Sequence, residues 1–200
     1  MQFPHVVIAR LYEHIEPIDR GNRYEDPLQA ALEEAQAGQV SGGGSQLNER
    51  GEIEYADIEM ELADLDAALG IVAATLEKAG APESSELIDT KDARVLRQFG
   101  THQCLAIYLD GISLPDHVYA NLDFDAVVSE IAAAAGPDSY HGFAQGNEET
   151  GLFLFATNAD DMFARVEPVL YRLPIAENAR IVIRHGRHAL NPRELRMAKR

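Results

Sequence analysis

The chain has 200 residues, of which 46% are hydrophobic and 25% charged, a composition typical of folded globular proteins and not of disordered chains. Its formal net charge of −16 disfavours contact with a phosphate backbone, so nucleic acid is not expected as a partner. No apolar run approaches the roughly 20 residues needed to cross a bilayer, and the first residues do not resemble a signal peptide, which predicts a cytoplasmic protein without a membrane partner.

The chain opens with a predicted strand, a loop and a helix. The β-branched, apolar residues 5–12 indicate a buried strand, and residues 13–27 are predicted to be a loop. Asp26 and Pro27 then predict the start of a helix, because a capping side chain followed by proline favours helix initiation. This helix is expected to end at Gly38.

A predicted hairpin follows. Residues 38–47 and 52–62 are expected to be strands, joined by a polar connection that ends in Gly51. The apolar alternation of the second strand changes phase near Ala56 and Asp57, which indicates a β-bulge.

A second helix and a short strand complete the first half. The helix is predicted to be capped by Asp64 or Asp66 and to end at Gly80, because glycine favours helix termination. Residues 86–88 are predicted to be a strand, and residues 89–100 are predicted to link the two halves.

The same order of elements returns about 94 residues later. The predicted elements are a strand at 103–109, a helix at 123–135, a hairpin of 139–145 and 151–157, a helix that starts at Asn158 or Asp160, and a strand at 179–184. The chain is therefore interpreted as two copies of one unit.

Strand, helix, strand, strand, helix, strand is the order of a ferredoxin-like (βαββαβ) unit, in which an antiparallel sheet carries its helices on one face. We therefore predict the α+β class, with two tandem ferredoxin-like units that form a pseudo-twofold internal repeat. The first unit is predicted to span 1–92 and the second 101–187, followed by a basic C-terminal tail at 188–200. This topology resembles tandem ferredoxin-like proteins and ACT-type regulatory modules, a resemblance that implies a fold and transfers no function.

The second hairpin strand carries a row of acidic side chains. These are Glu52, Glu54, Asp57, Glu59 and Glu61. A solvated strand face is the ordinary explanation for such a row, and its functional interpretation is a negative surface that binds a basic protein. Residues 1–179 hold 32 acidic and 10 basic residues, which favours a cationic partner; solubility alone would explain the same excess of acid.

The first hairpin strand contains the run Gly42, Gly43, Gly44 and Ser45. Its backbone N–H groups could bind an anion, but a phosphate loop requires a helix directly after it, and a strand is predicted there. The run is better explained by close approach of another backbone, or by a strand left open to a ligand.

No catalytic residue, metal site or cofactor is predicted. The seven histidines lack the spacing of a zinc site, and Cys104 lies in an apolar run that predicts a buried thiol. Arg184, His185 and Gly186 resemble the phosphate-binding motif of histidine phosphatases, but that motif follows an N-terminal strand in those enzymes, and here it lies near the end of the chain.

Three functions remain open on this basis. The first is a non-enzymatic module that binds a basic protein partner, for example an immunity-type inhibitor of a bacterial toxin. The second is an ACT-like regulatory protein that binds a small molecule near the glycine run. The third is an enzyme that uses His102 or His141 with a nearby carboxylate. Edge strands and apolar residues such as Phe143 are also consistent with a homodimer.

Overall fold

The structure, a computed structural model, describes residues 3–49, 51–186 and 192–198. The chain divides into two compact units, Met1–His102 (unit 1) and Gln103–Arg200 (unit 2). Each unit contains one five-stranded antiparallel sheet with helices between its strands, which confirms the predicted α+β class with two tandem ferredoxin-like units. Among the described residues, no helix is long and apolar enough to cross a membrane.

Unit 1 builds its sheet from five strands. The elements are β1 (His5–Leu11), α1 (Pro17–Arg20), a π-helical turn (Gly21–Glu25), α2 (Asp26–Glu34), β2 (Gly38–Leu47), β3 (Ile53–Leu62), α3 (Leu65–Lys78), β4 (Ser85–Asp89) and β5 (Val95–Phe99). The strand order is β2-β3-β1-β4-β5, in which the first four strands have the ferredoxin-like arrangement and β5 extends the sheet beyond β4.

Unit 2 repeats this arrangement. The elements are β6 (Gln103–Asp110), α4 (Asp116–Ala120), α5 (Phe124–Ala135), β7 (Tyr140–Gln145), β8 (Glu149–Ala156), α6 (Ala159–Leu170), a 3-10 turn (Pro174–Ala176), β9 (Arg180–Arg184) and β10 (Arg193–Arg196). The strand order β10-β9-β6-β8-β7 matches that of unit 1 element by element.

The two repeats begin their second helix in the same way. Asp64 precedes α3 and its Oδ1 accepts a hydrogen bond of 2.9 Å from the backbone N–H of Ala67. Asn158 precedes α6 and its Oδ1 accepts one of 3.0 Å from the N–H of Asp161. Each cap is the first of the two residues predicted for its helix, and the two caps are related by the 94-residue offset of the repeat.

The prediction of a loop over 13–27 is wrong. Helix α1 begins at Pro17, and the helical backbone continues through the π-helical turn into α2, so Asp26 lies inside a helical segment and does not cap it. Tyr24 and Leu28 are fully buried in this segment, and their burial holds the helix against the sheet.

The ends of the two units also differ from the prediction. Val95–Phe99 forms β5, although residues 89–100 were predicted to be a linker, because Phe99 is buried in the core of unit 1. Within the predicted tail, Arg193–Arg196 pairs with β9, and Met197 is buried in the core of unit 2. Residues 188–191 and 199–200 of that tail lie outside the described residues.

The predicted phase change in β3 is a β-bulge that lies closer to the turn than expected. Gln46 lies opposite Tyr55 and Leu47 opposite Ile53, so Glu54 is the additional residue. Beyond the bulge, alternate residues of β3 are buried against the helices and the intervening residues lie on the opposite side of the sheet. We refer to this opposite side as the helix-free face of a unit.

Candidate functional site

The structure brings the acidic row and the glycine run together on the helix-free face of unit 1. Gly42 lies opposite Glu59 in the pairing of β2 with β3, and Gly44 lies opposite Asp57. Residues that lie opposite each other on neighbouring strands share a face of the sheet. Gly42 and Gly44 are exposed, and no atom lies within 4 Å of the position that a Cβ would take at either residue. The two glycines therefore form an open floor beside the acidic strand.

Gly43 has a different, structural role on the helix side of the same strand. A Cβ at Gly43 would lie 2.6 Å from the Asp57 carbonyl oxygen and 3.0 Å from Nη2 of Arg20. The close approach of another backbone is thus confined to Gly43, where the backbone is that of the paired strand β3, and the Arg20 side chain uses the same space.

Arg20 joins the first helical segment to β2. Its Nη1 donates to the carbonyl oxygen of Gly44 at 2.9 Å and to Oγ of Ser45 at 3.3 Å, while Nε donates to Oε1 of Glu25 at 2.6 Å. The residue is only 8% exposed, and a buried charge of this kind requires such a paired carboxylate. Ser45 is thus a contact of Arg20.

Asp57 is neutralised by Arg10. The Nε and Nη2 atoms of Arg10 donate to the two carboxylate oxygens, each at 2.8 Å, and the guanidinium carbon lies 3.9 Å from the centroid of the Tyr55 ring. The hydrogen bond to Asp57 raises the pKa of Arg10, so the guanidinium remains charged. Asp57 therefore adds little negative charge to the face.

The other acids of the row have neutral or solvent contacts. Glu52 accepts a hydrogen bond of 3.1 Å from the side chain of Asn48 in the turn, and Glu54 is exposed at the bulge. Glu59 accepts from Oγ of Ser41 at 3.2 Å and Glu61 from Nε2 of Gln39 at 2.9 Å. Since these partners are uncharged, Glu59 and Glu61 contribute negative charge to the face.

The helix-free face of unit 2 carries different side chains from that of unit 1. With the offset of the repeat, Phe153 and Phe155 of β8 occupy the positions of Glu59 and Glu61. They belong to a buried apolar cluster on the helix-free face of unit 2, whose members are Cys104, Ala106, Tyr108, Phe153, Phe155 and Val182. The predicted burial of Cys104 is thus confirmed, since this residue is 8% exposed.

Both helix-free faces nevertheless carry one arginine, one tyrosine and one carboxylate in contact. In unit 2, Arg180 forms a two-point ion pair with Glu149 and lies 3.9 Å from the centroid of the Tyr108 ring. This ion pair raises the pKa of Arg180. In unit 1 the three residues in contact are Arg10, Asp57 and Tyr55. They do not lie on the strands that correspond to those of Arg180, Glu149 and Tyr108 in unit 2.

The two histidines considered for catalysis lie in different surroundings. His141 is 3% exposed at a β-bulge of β7, and its ring stacks on Phe155 with a centroid distance of 4.5 Å. His102 lies near the Thr101 hydroxyl and the Gly80 backbone. Across residues 3–49, 51–186 and 192–198, no group of three or more His, Cys, Asp or Glu side chains could hold a metal ion.

Unit 1 also contains an open cleft that the sequence does not reveal. Its volume is about 670 Å³, and it is lined by Phe3, Gln29, Glu33, Gln36, Gly38, Gln39 and Glu61. These residues come from α2, the start of β2 and the end of β3, together with residues that flank these elements. The side chains that line it are carboxamides, carboxylates and one phenyl ring, and none of them is cationic.

Comparison with known proteins assigns neither a family nor an activity to the chain. No family model matches the chain, and no curated protein matches its sequence. An unknown protein from Galdieria sulphuraria is 11% identical, with 90% of this chain and 97% of that chain covered and a TM-score of 0.30. A candidate monooxygenase from Fusobacterium nucleatum is 10% identical, with 100% of this chain and 99% of that chain covered and a TM-score of 0.32. A candidate monooxygenase from Lactobacillus acidophilus is 14% identical, with 97% of this chain and 100% of that chain covered and a TM-score of 0.26.

Proposed function

We propose that the chain is a non-enzymatic protein-binding module that recognises a basic protein with the helix-free face of unit 1. The observation that carries this proposal is the position of Glu59 and Glu61 on the same face of the sheet as the open floor of Gly42 and Gly44. Acidic side chains attract cationic groups, and a floor without side chains gives those groups access to the strand.

The distribution of charge supports the choice of unit 1. Its sequence holds 20 acidic and 8 basic residues, for a net charge of −12, whereas unit 2 holds 13 and 9, for a net charge of −4. A field of this sign steers a basic partner toward unit 1 and increases its association rate at low ionic strength.

An immunity-type inhibitor of a basic toxin is a concrete version of this function. An inhibitor of this type covers a cationic active cleft with its own carboxylates, which is the chemistry that unit 1 offers. The toxin itself would be identified through genes that neighbour the gene for this chain, and direct binding between the two purified proteins would test the assignment.

The surface is tested with poly-L-lysine as a basic probe and isothermal titration calorimetry at two salt concentrations. The Glu59→Gln/Glu61→Gln double variant is expected to bind the probe about three- to tenfold more weakly than the unmodified chain at low salt. The matched control is Asp125→Asn/Glu130→Gln, which removes the same charge from exposed positions of α5 in unit 2.

Equal weakening by the two double variants would mean that the probe responds to net charge alone, and it would overturn the proposed surface. Circular dichroism of each variant checks that the fold is retained.

A second candidate function is binding of a small molecule in the cleft of unit 1, as in the ACT-like interpretation. The observation that favours it is the cleft volume of about 670 Å³, which lies in the range of small-molecule sites. Its carboxylates and carboxamides suit a neutral or cationic ligand that offers hydrogen bonds. Thermal-shift measurements with amino acids, nucleotides and divalent cations test it: a stabilising compound should lose its effect in Glu33→Gln, and a panel without any shift counts against this function.

A further inference from the structure

Strand β2 is an edge strand without the usual protection against pairing. It ends the sheet of unit 1, and residues 41–47 are all exposed. Its ten residues, GQVSGGGSQL, include no charged side chain and no proline. Edge strands are normally protected from pairing by charges, proline or bulges, and β2 has only the bulge at Ser41. An exposed, uncharged edge presents backbone groups to another strand.

The other edges of the described sheets do not offer the same combination. Strand β5 carries Arg97, and β10 carries both arginines and a glutamate. Strand β7 is free of acidic and basic residues apart from His141, but its neighbour β8 presents Phe153 and Phe155 on the helix-free face. Only at β2 does an uncharged edge lie beside a row of carboxylates.

We propose that an extended, lysine- or arginine-rich segment of the basic partner adds to the edge of β2 as a further strand. This inference rests on the proposed function and specifies its binding mode. Main-chain hydrogen bonds to β2 would fix the segment, and its cationic side chains would cross Gly42 and Gly44 toward Glu59.

The geometry of the sheet permits this crossing. Neighbouring strands lie about 4.8 Å apart, so β3 is about 10 Å from an added strand. A side chain at position 42 or 44 would stand in the path between them, and both positions are glycine with no atom within 4 Å of a Cβ. The long, flexible stems of lysine and arginine reach over this floor, and the carboxylates of β3 receive the charge.

Arg20 prepares the edge from the helix side. Its hydrogen bonds to the Gly44 carbonyl oxygen and to Ser45 hold β2 in its extended form without side chains on the helix-free face. A strand that is ordered in advance lowers the entropic cost of binding.

The test uses the full chain and the synthetic peptide TKVKVKT, whose lysines alternate along one face of a strand. Two modified peptides carry N-methyl groups on either the lysine amides or the valine amides, because alternate backbone amides of a strand point to opposite sides. Each modified peptide carries two N-methyl groups, on the amides of the first two lysines or of the two valines, so charge and composition are the same in both. One methylated peptide is expected to lose at least about tenfold in affinity by calorimetry, because its amides would face β2, while the other keeps the affinity of the parent.

The protein variant Gly42→Val/Gly44→Val places side chains on the floor, where an added Cβ has no atom within 4 Å. It is expected to weaken binding of the parent peptide at least about fivefold. Gly70→Ala, at an exposed position of α3 that also has open space, is the matched control and should leave the affinity unchanged.

Equal affinity for both methylated peptides would overturn strand addition, as would a parent peptide that binds no better than the scrambled peptide KKKTVVT. If lysine peptides bind in these cases and the Glu59→Gln/Glu61→Gln variant weakens them, the acidic surface stands and only the binding mode fails. A chain that dimerises through β2 and excludes the peptide would assign the edge to a second copy and would also overturn the proposal.

Discussion

The guanidinium of Arg20 occupies the space that any side chain at Gly43 would need, since its Nη2 lies 3.0 Å from the position of an added Cβ. The Asp57 carbonyl oxygen lies closer still, at 2.6 Å. The next glycine, Gly44, has no such neighbour. Three consecutive glycines therefore serve different purposes on the two sides of β2.

Gly43→Ala is expected to lower the free energy of unfolding by about 1 to 3 kcal/mol, because either Arg20 or the strand backbone must move. Gly44→Ala is expected to be neutral or stabilising by up to about 1 kcal/mol, because the added methyl group reduces the freedom of the unfolded chain. Urea denaturation of both variants measures the difference. Equal effects would contradict the separate roles of the two glycines.

The pair of Arg10 and Asp57 should behave as one unit in a double-mutant cycle. Both side chains are partly exposed, at 26% and 20%, so removal of either partner is expected to cost about 1 to 2 kcal/mol. Arg10→Met, Asp57→Asn and the double variant should give a coupling energy of about 1 kcal/mol in urea denaturation. Glu54→Gln, an exposed acid of the same strand, provides the control. Costs that simply add would show that the two residues do not interact energetically.

Loss of a helix cap should destabilise only the helix that it caps. Asp64→Ala is expected to destabilise α3 by about 1 kcal/mol, and Asn158→Ala should do the same to α6. Hydrogen exchange by mass spectrometry should show faster exchange in the first turn of the affected helix only. Asp66→Ala, in the first turn of α3 but not at the cap, should change exchange less. Exchange that rises in both helices after one substitution would show that the units open together.

Stability at alkaline pH should depend on Tyr24. Burial, with a further contribution from the nearby Glu13 carboxylate, raises the pKa of Tyr24 well above its ordinary value. The unfolded chain then releases this proton near pH 10, while the folded chain retains it, so stability is lost as pH rises above about 10. Tyr24→Phe should reduce the fall in the urea midpoint between pH 9 and pH 11. An unchanged slope would contradict this role.

Asp110 should produce the opposite dependence at acidic pH. Burial favours its protonated form, but hydrogen bonds from the Ser113 hydroxyl and from the N–H groups of Ile112 and Ser113 outweigh burial and lower the pKa of Asp110. The stabilisation is therefore present above the ordinary carboxyl pKa of about 3.9 and is lost as pH falls through the lowered value. Asp110→Ala should cost about 1 kcal/mol at pH 7, with a gap to the unmodified chain that narrows below pH 4. A constant gap would contradict the assignment.

Much of the fold could be predicted because its signals are local. Asp64 and Asn158 cap helices through contacts three residues away, and the alternation of β3 follows from the pleat of a single strand. The order of the elements then limits the topology to a few possibilities. Strand β10 was missed because Arg193, Glu194 and Arg196 are typical of a solvated tail. Its contact with the core depends on Leu195 and Met197, which carry no local signal of that packing.

The acidic row and the glycine run could each be identified from the sequence, but their position on one face of the sheet could not. Nothing in the sequence states that Gly42 lies opposite Glu59, because that depends on the register of the hairpin and on the bulge at Ser41. The neutralisation of Asp57 depends on Arg10, which is 47 residues away and carries no local signal of its partner. The cleft beside Gly38 likewise requires three separated segments to meet.

In both units, the residues on the two faces of a strand have different roles. Residues that point toward the helices keep the unit folded. The residues between them are glutamates in unit 1 and phenylalanines in unit 2, and the strand pairing is the same. A designer who wants a new specificity from this scaffold can therefore rewrite one side of a sheet and leave the other side untouched.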